Sequence, residues 1–145
     1  LRPGRRAQKK QPIMRKTIIS ALCAITIMSC STQKSAMDIT GRWNIEKAMG
    51  KSTVGADTSP FISFDKEGNI NGNASVNNFF GSYSLNGEKL SFSKLGMTRM
   101  MGQSMDIEQA VTQALGSTSS IKAEDFDAFF FNEKNDTVMI LRKQK

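Results

Sequence analysis

Residues 104–116 carry the sequence SMDIEQAVTQALG, the one stretch of the chain whose apolar residues recur with a clear helical period. The apolar residues at i, i+3, i+4, i+7 and i+8 are Ile107, Ala110, Val111, Ala114 and Leu115. The residues assigned to the opposite, polar face are Glu108, Gln109, Thr112 and Gln113. This pattern predicts an amphipathic helix. We expect Asp106 to cap its first turn and Gly116 to end it in a left-handed conformation.

Beyond residue 40, the chain outside this helix consists of short alternating segments separated by turn residues. About eight strands are expected, five before the helix and three after it. Asn86-Gly87 is the strongest hairpin signal, residues 51–59 are predicted to form a loop, and residues 77–81 break the strand pattern. The small residues between 70 and 76 predict a strand pressed closely against another element, most simply the helix. The fold class is therefore α+β, a compact antiparallel β-sheet or barrel curled around one amphipathic helix.

The charge distribution excludes a broad nucleic-acid interface. The chain of 145 residues has a net charge of +7, but seven of its 20 Lys and Arg residues lie before residue 17. The other 13 balance 13 Asp and Glu residues, all of which lie beyond residue 37. A neutral domain lacks the electrostatic footprint that phosphate backbones attract, so no nucleic-acid partner is expected.

The composition also argues against catalysis. There is no histidine, which removes the commonest general base and metal ligand. The two cysteines, Cys23 and Cys30, both lie in the N-terminal segment, so no thiolate nucleophile or cysteine metal site is expected beyond residue 30. We predict a protein that is not an enzyme and that has no catalytic residues, no metal site and no cofactor.

The N-terminal segment has the features of a bacterial lipoprotein leader. Residues 14–29 combine a basic start with an apolar run too short to span a membrane. Residues 27–30, IMSC, resemble a lipobox, which implies cleavage before Cys30 and lipid attachment there. Residues 30–37 would form a tether, and residues 1–13 are interpreted as a basic leader or a gene-start artefact. Residue 31, which follows the lipidated cysteine, is Ser and not the Asp associated with inner-membrane retention in enteric bacteria. By analogy, this favours an outer-membrane lipoprotein that faces the periplasm.

Two motifs resemble the signature of the META domain family, the HslJ-like heat-shock lipoproteins. Residues 72–83, GNASVNNFFGSY, are similar to G-x-x-G-C-N-x-x-x-G-x-Y, and residues 98–102, TRMMG, are similar to T-R-M-A-C. In this sequence and in the family alike, a short helix containing a glutamate follows the second motif. The domain that resembles the family spans residues 38–145. The family's motif cysteines fall at Val76 and Gly102, so the resemblance implies that these two residues lie close together.

Two groups of motif residues have more than one interpretation. Asn77, Asn78, Tyr83 and Arg99 are expected to form either a surface binding site or an internal hydrogen-bond network. The methionine-rich group comprises Met97, Met100, Met101 and Met105. Thioethers bind Cu(I), but methionine also fills irregular gaps in a core, and core packing without a metal is the prediction here.

The resemblance implies envelope location and an association with stress, and it implies no reaction. The leading hypothesis is a non-catalytic lipoprotein, anchored to the membrane at Cys30, that binds a protein or envelope component during stress. One alternative is an inhibitor of a periplasmic hydrolase of the lysozyme type, with residues 51–59 or 77–81 as its protruding loop. Another is a carrier of a small apolar ligand inside an open barrel.

Overall fold

The structure, a computed structural model, describes residues 37–145. The predicted leader at residues 1–13, the signal peptide at 14–29 and the lipidation site at Cys30 lie outside the described residues. The predicted tether lies outside them as well, except for Met37. The helix of the described part is not long and apolar enough to cross a bilayer.

Residues 37–145 form a closed antiparallel barrel. Its elements are β1 (Gly41–Ala48), β2 (Lys51–Ser52), β3 (Phe61–Phe64), β4 (Asn69–Asn73), β5 (Asn78–Asn86), β6 (Lys89–Met97), α1 (Met105–Ser117), β7 (Ser120–Glu124), β8 (Asp127–Phe131) and β9 (Thr137–Lys143). Each strand from β3 to β9 pairs with the next, and β1 closes the ring by pairing with both β3 and β9. The short β2 is an extra strand on β1. This architecture confirms the predicted α+β fold, an eight-stranded antiparallel barrel with one helix.

Apolar side chains from the strands and the helix fill the interior of the barrel. Phe130 and Leu141 are completely inaccessible to solvent. The Phe64 and Tyr83 rings meet edge to face at 5.0 Å, and the Phe92 and Phe130 centroids are 5.9 Å apart. Strand alternation explains much of the inward set, because β8 buries every second residue. The packed interior offers no support for the hypothesis of a carrier with an open barrel.

α1 lies with its predicted stripe against this core. All five apolar residues of the stripe are buried, and Val111 and Ala114 are fully inaccessible. An isolated helix of this length is marginal in water, so the burial of this face is what holds it in place.

The predicted ends of the helix are wrong in detail. Gly116 lies inside the helix and does not have a positive φ. The hydroxyls of Ser117 and Thr118 donate to carbonyls of the preceding turn, at 2.9 and 2.7 Å, and so take over the capping role expected of the glycine. At the other end Ser104 precedes the helix, while Asp106 lies in the first turn and pairs with Lys51 Nζ at 2.6 Å.

The break predicted at residues 77–81 is also wrong, because β5 runs without interruption from Asn78. The turn before β5 lies at residues 74–77, where Ser75 has a φ of 113°. Asn78 and Phe80 point outward, and a strand with one solvated face accepts such residues. One of the two loops considered for a hydrolase inhibitor is therefore part of the sheet.

Two glycines lie where the backbone conformation or the close packing of the barrel favours a residue without a side chain. Gly87, with a φ of 63°, lies in the β5–β6 hairpin and confirms the turn predicted at Asn86-Gly87. Gly72 on β4 lies so close to the Phe79 ring that a β-carbon there would overlap it. The close approach predicted for this strand therefore exists, but its partners are the neighbouring strands β3 and β5.

Candidate functional site

A motif asparagine and a helix glutamate form a buried hydrogen-bonded pair. Glu108 Oε2 accepts the backbone N–H of Asn77 at 2.8 Å, and Asn77 Nδ2 donates to Glu108 Oε1 at 3.0 Å. Asn77 is 1% exposed and Glu108 is 7% exposed. Burying a carboxylate is costly unless hydrogen bonds compensate it, and here they do. The assignment of Glu108 to the polar face was therefore wrong.

The side-chain amide of Asn77 also forms hydrogen bonds with the segment that carries the second motif. Its Oδ1 accepts from Thr98 Oγ1 at 2.8 Å and from the Met100 backbone N–H at 2.6 Å. Its Nδ2 also donates to the Met100 carbonyl at 2.9 Å. No buried side-chain polar atom within residues 37–145 lacks a partner. Asn77 thus joins the β4–β5 turn, the β6–α1 connection and the helix.

A second cluster fastens the loop at residues 53–60 to the start of α1. Asp57 Oδ1 accepts the Ser104 hydroxyl at 2.9 Å, and Asp57 Oδ2 accepts the Gln103 N–H at 2.9 Å. The Ser104 hydrogen bond is the main reason that the pKa of Asp57 lies below its ordinary value. This anchoring ties down the base of the remaining loop considered for an inhibitor.

Asn78 and Tyr83 also have internal partners. The backbone N–H of Asn78 donates to Thr98 Oγ1 at 3.1 Å, and its Oδ1 accepts from Asn73 Nδ2 at 2.9 Å. The Tyr83 hydroxyl donates to the Asp65 carbonyl at 2.7 Å. Burial raises the pKa of Tyr83, and the nearby Asp65 carboxylate adds to the shift. The phenol therefore stays a protonated hydrogen-bond donor.

Arg99, like Asn78, is a predicted site residue that is exposed to solvent. Arg99 forms no ion pair with any residue of the described part. The structure brings Asn77 and Asn78 together at Thr98, whereas Tyr83 and Arg99 lie in separate environments.

Arg99 contributes to a surface depression between the helix and the barrel, the α1–β6 groove. The groove has a volume of about 410 Å³ and is lined by Phe79, Leu95, Gly96, Met97, Arg99, Thr112 and Leu115. An adjoining depression of about 540 Å³ shares Met97 and Thr112 with it and includes Met105. Arg99 is the charged residue of an otherwise largely apolar groove.

Apolar side chains of the second motif face solvent, which corrects the predicted core packing for Met100 and Met101 but not for Met97, which packs against the core. Met100 is 55% exposed and Met101 is 89% exposed, while Met97 and Met105 are half-buried. Phe80 and Leu95 are exposed as well and were missed. Adjacent strand residues point to opposite faces, so the pair Phe79-Phe80 was the signal that one ring must face outward. Residues 37–145 contain no group of three or more acidic residues arranged to hold a metal ion.

The comparisons with known proteins place these features in a family. A model of the META domain matches residues 35–145. No curated protein matches the chain.

Three solved structures have a similar fold. One NMR structure is 22% identical over 70% of this chain and 87% of that chain, with a TM-score of 0.57. An NMR structure of a protein from Burkholderia xenovorans is 23% identical over 72% and 81% of the two chains, with a TM-score of 0.56. A crystal structure of a DUF4847 family protein from Bacteroides vulgatus is 12% identical over 73% and 95%, with a TM-score of 0.54.

Proposed function

The chain belongs to the META domain family, and from this premise we propose that it is a non-catalytic, lipid-anchored envelope protein that binds a protein or envelope component during stress. One observation carries the proposal. The same two motifs direct Asn77 and Tyr83 into internal hydrogen bonds and leave Arg99, Met100 and Met101 at the surface. Large apolar side chains exposed next to one another are characteristic of interaction surfaces.

The chemistry of the described residues supports binding more than catalysis. The buried carboxyl group of Glu108 accepts hydrogen bonds from Asn77, and the carboxyl group of Asp57 accepts them from Ser104 and Gln103. The chain has no histidine that could activate a serine or threonine hydroxyl. The META domain family is not known as an enzyme family. A surface that recognises a partner needs neither a free catalytic carboxylate nor an activated hydroxyl.

The anchoring part of the proposal derives from the lipobox-like residues 27–30. Lipid at Cys30 would hold the domain close to the membrane, because the nine residue steps from Cys30 to Ile39 span at most about 30 Å. A partner would then be another envelope protein or a component of the envelope itself. Two or more acyl chains would be needed for a stable anchor.

The experiment is membrane fractionation combined with photocrosslinking in cells. Cys30→Ala should release the protein from membranes and Cys23→Ala should not. A photoreactive residue at Met101 should give a discrete crosslinked product after heat stress, whereas one at Glu67, exposed on the β3–β4 turn, should not. Mass spectrometry that finds an unmodified N-terminus at or beyond Cys30 would overturn the anchor. Equal crosslinking at both positions would overturn the binding surface.

The hydrolase-inhibitor alternative retains one feature of its own. Val54 is 88% exposed on the loop at residues 53–60, the remaining candidate for a protruding loop. If that loop enters the active site of a lysozyme-type enzyme, purified protein should inhibit cell-wall hydrolysis, and Val54→Asp should abolish the inhibition. No inhibition at micromolar concentrations would dismiss this function.

A further inference from the structure

One strand of the barrel has an open edge. β6 pairs with β5 along nearly its whole length but with β7 through a single residue pair, Lys89 with Ser120. The backbone N–H of Leu90 donates to the Ser119 carbonyl at 3.1 Å and marks the end of this contact. Among residues 37–145, no strand pairs with residues 91–97 on the side away from β5.

The backbone N–H groups that β6 directs into this open edge alternate only as far as Lys94, where the β5–β6 register shifts at a bulge. The Leu90 N–H points towards β7, and strand alternation orients Phe92 in the same way. At the other end, the Thr98 N–H donates to the Asn78 carbonyl next to β5 at 3.0 Å, so the preceding residue, Met97, faces the open side. A row of unpaired backbone groups is a template for another strand.

The α1–β6 groove runs beside this edge. Leu95 and Met97 of β6 form one wall, and Thr112 and Leu115 of α1 form the other. Its volume, about 410 Å³, lies within the range of pockets that enclose ligands. A strand added to β6 would direct alternate side chains towards this apolar groove.

The charges at the edge define the partner further. Lys94 and Arg99 are both exposed, and neither forms an ion pair within the described part of the chain. Lys94 has a φ of 54° and lies where the β5–β6 register shifts, which is a bulge that projects its side chain away from regular pairing. Two cations without partners favour carboxylates on the occupant.

We propose that the open edge of β6 and the α1–β6 groove bind an extended acidic peptide segment of a protein partner by strand addition, an inference that rests on the proposed binding function. Backbone hydrogen bonds to residues 91–97 supply affinity, and the groove selects apolar side chains at alternate positions of the segment. Lys94 and Arg99 select its carboxylates. A second copy of this chain fits less well, because two β6 edges side by side would bring like charges together.

The first test uses the full-length protein in detergent micelles and a labelled peptide, acetyl-Glu-Val-Thr-Val-Glu-Val-Thr-amide, followed by fluorescence anisotropy. N-methylation of the three valines and N-methylation of the other residues block opposite edges of the peptide strand. One methylated peptide should bind at least tenfold more weakly than the parent, and the other should bind within about twofold of it. Equal loss, or no loss, in both peptides overturns strand addition.

The second test changes the charges. Lys94→Glu combined with Arg99→Glu should weaken binding of the acidic peptide about tenfold and improve binding of a peptide with Lys in place of Glu. The matched control is Lys47→Glu combined with Lys66→Glu, two exposed lysines on β1 and on the β3–β4 turn that line neither β6 nor the groove, which should change affinity less than about twofold. Equal effects of the two double variants overturn the proposed charge selection.

Hydrogen exchange locates the contact. Bound peptide should protect the amides of Phe92 and Met97, while amides of β2 on the opposite part of the sheet keep their free-state exchange. If no peptide binds while Met101 still crosslinks to an envelope protein in cells, the strand-addition inference fails and the proposed function stands. Failure of both crosslinking and membrane retention would overturn the proposed function independently of any peptide result.

Discussion

Val76 and Gly102 lie in direct contact across the β4–β5 turn and the β6–α1 connection. A β-carbon added at Gly102 would lie 2.6 Å from Val76 Cγ2 and 2.8 Å from Val76 Cγ1. These are the positions at which the family motifs carry cysteines, so the spatial contact supports the register of both motifs. Gly102 does not have a positive φ, so its backbone accepts a side chain without left-handed strain.

The first prediction is that Val76→Cys with Gly102→Cys forms a disulfide under mild oxidation. The closed loop spans 26 residues, for which the chain-entropy model gives about 3–4 kcal/mol of stabilisation. The Asp57 carboxylate also lies against the new β-carbon, so part of this gain is lost as it moves. Urea unfolding with and without reductant measures the difference. Gly102→Ala alone is the control, and it should destabilise by about 1–3 kcal/mol because Val76 keeps its methyl groups.

The second prediction concerns the apolar face of α1. Leu115 is 3% exposed, so Leu115→Ala should lower the free energy of unfolding by about 2–5 kcal/mol through lost burial and a residual cavity. Gln113→Ala, on the exposed side of the same helix, should change it by less than about 0.5 kcal/mol. Comparable losses at the two positions would contradict the assignment of the buried face.

The third prediction concerns the buried pair of Asn77 and Glu108. Glu108→Ala removes the acceptor of both the Asn77 backbone N–H and its side-chain amide, leaving buried donors without partners. The free energy of unfolding should fall by roughly 2–4 kcal/mol. The neighbouring substitution Gln109→Ala, at an exposed position, is the matched control. A loss below 1 kcal/mol at Glu108 would mean that water replaces these bonds at about no cost.

The fourth prediction is a dependence of stability on pH to which Asp57 contributes, together with Asp38, Asp65 and Asp106, whose pKa values are also lowered. The pKa of Asp57 is lower in the folded state than in the unfolded chain, mainly because it accepts the Ser104 hydroxyl. A lowered folded-state pKa stabilises the fold above the unfolded pKa, about 3.9, and this contribution is lost as pH falls through the folded value. Asp57→Asn and Ser104→Ala should each flatten the acid limb of urea midpoints measured below about pH 5. Ser59→Ala, an exposed neighbour, should leave that limb unchanged.

The fifth prediction addresses the methionines. Met100 and Met101 are exposed, but residues 37–145 contain no histidine or cysteine that could complete a soft ligand set for Cu(I). Protein purified without chelator should contain no stoichiometric copper. Copper that is present and lost in the Met100→Leu, Met101→Leu variant would show that the thioethers form a Cu(I) site.

Local chemistry in the sequence was sufficient for several features. The stripe from Ile107 to Leu115, the Asn86-Gly87 turn and the alternation of the strands each arise from interactions within a few residues. These patterns therefore identify the helix, a hairpin and the antiparallel fold class without knowledge of the whole. The contact between Val76 and Gly102 was implied by the resemblance of the two motifs to the META domain family, whose motif cysteines fall at these positions.

Only the tertiary structure decided the features that depend on distant partners. Glu108 is buried because Asn77, 31 residues away in sequence, supplies its hydrogen bonds. Residues 78–81 form a strand because β4 and β6 pair with them on both sides. The open edge of β6 exists because β7 begins only at Ser120, opposite Lys89, and the chain before it forms α1 instead of a strand. A side chain's environment is set by whichever segment packs against it, and helical or strand periodicity in the sequence describes only which residues share a face, not what that face meets.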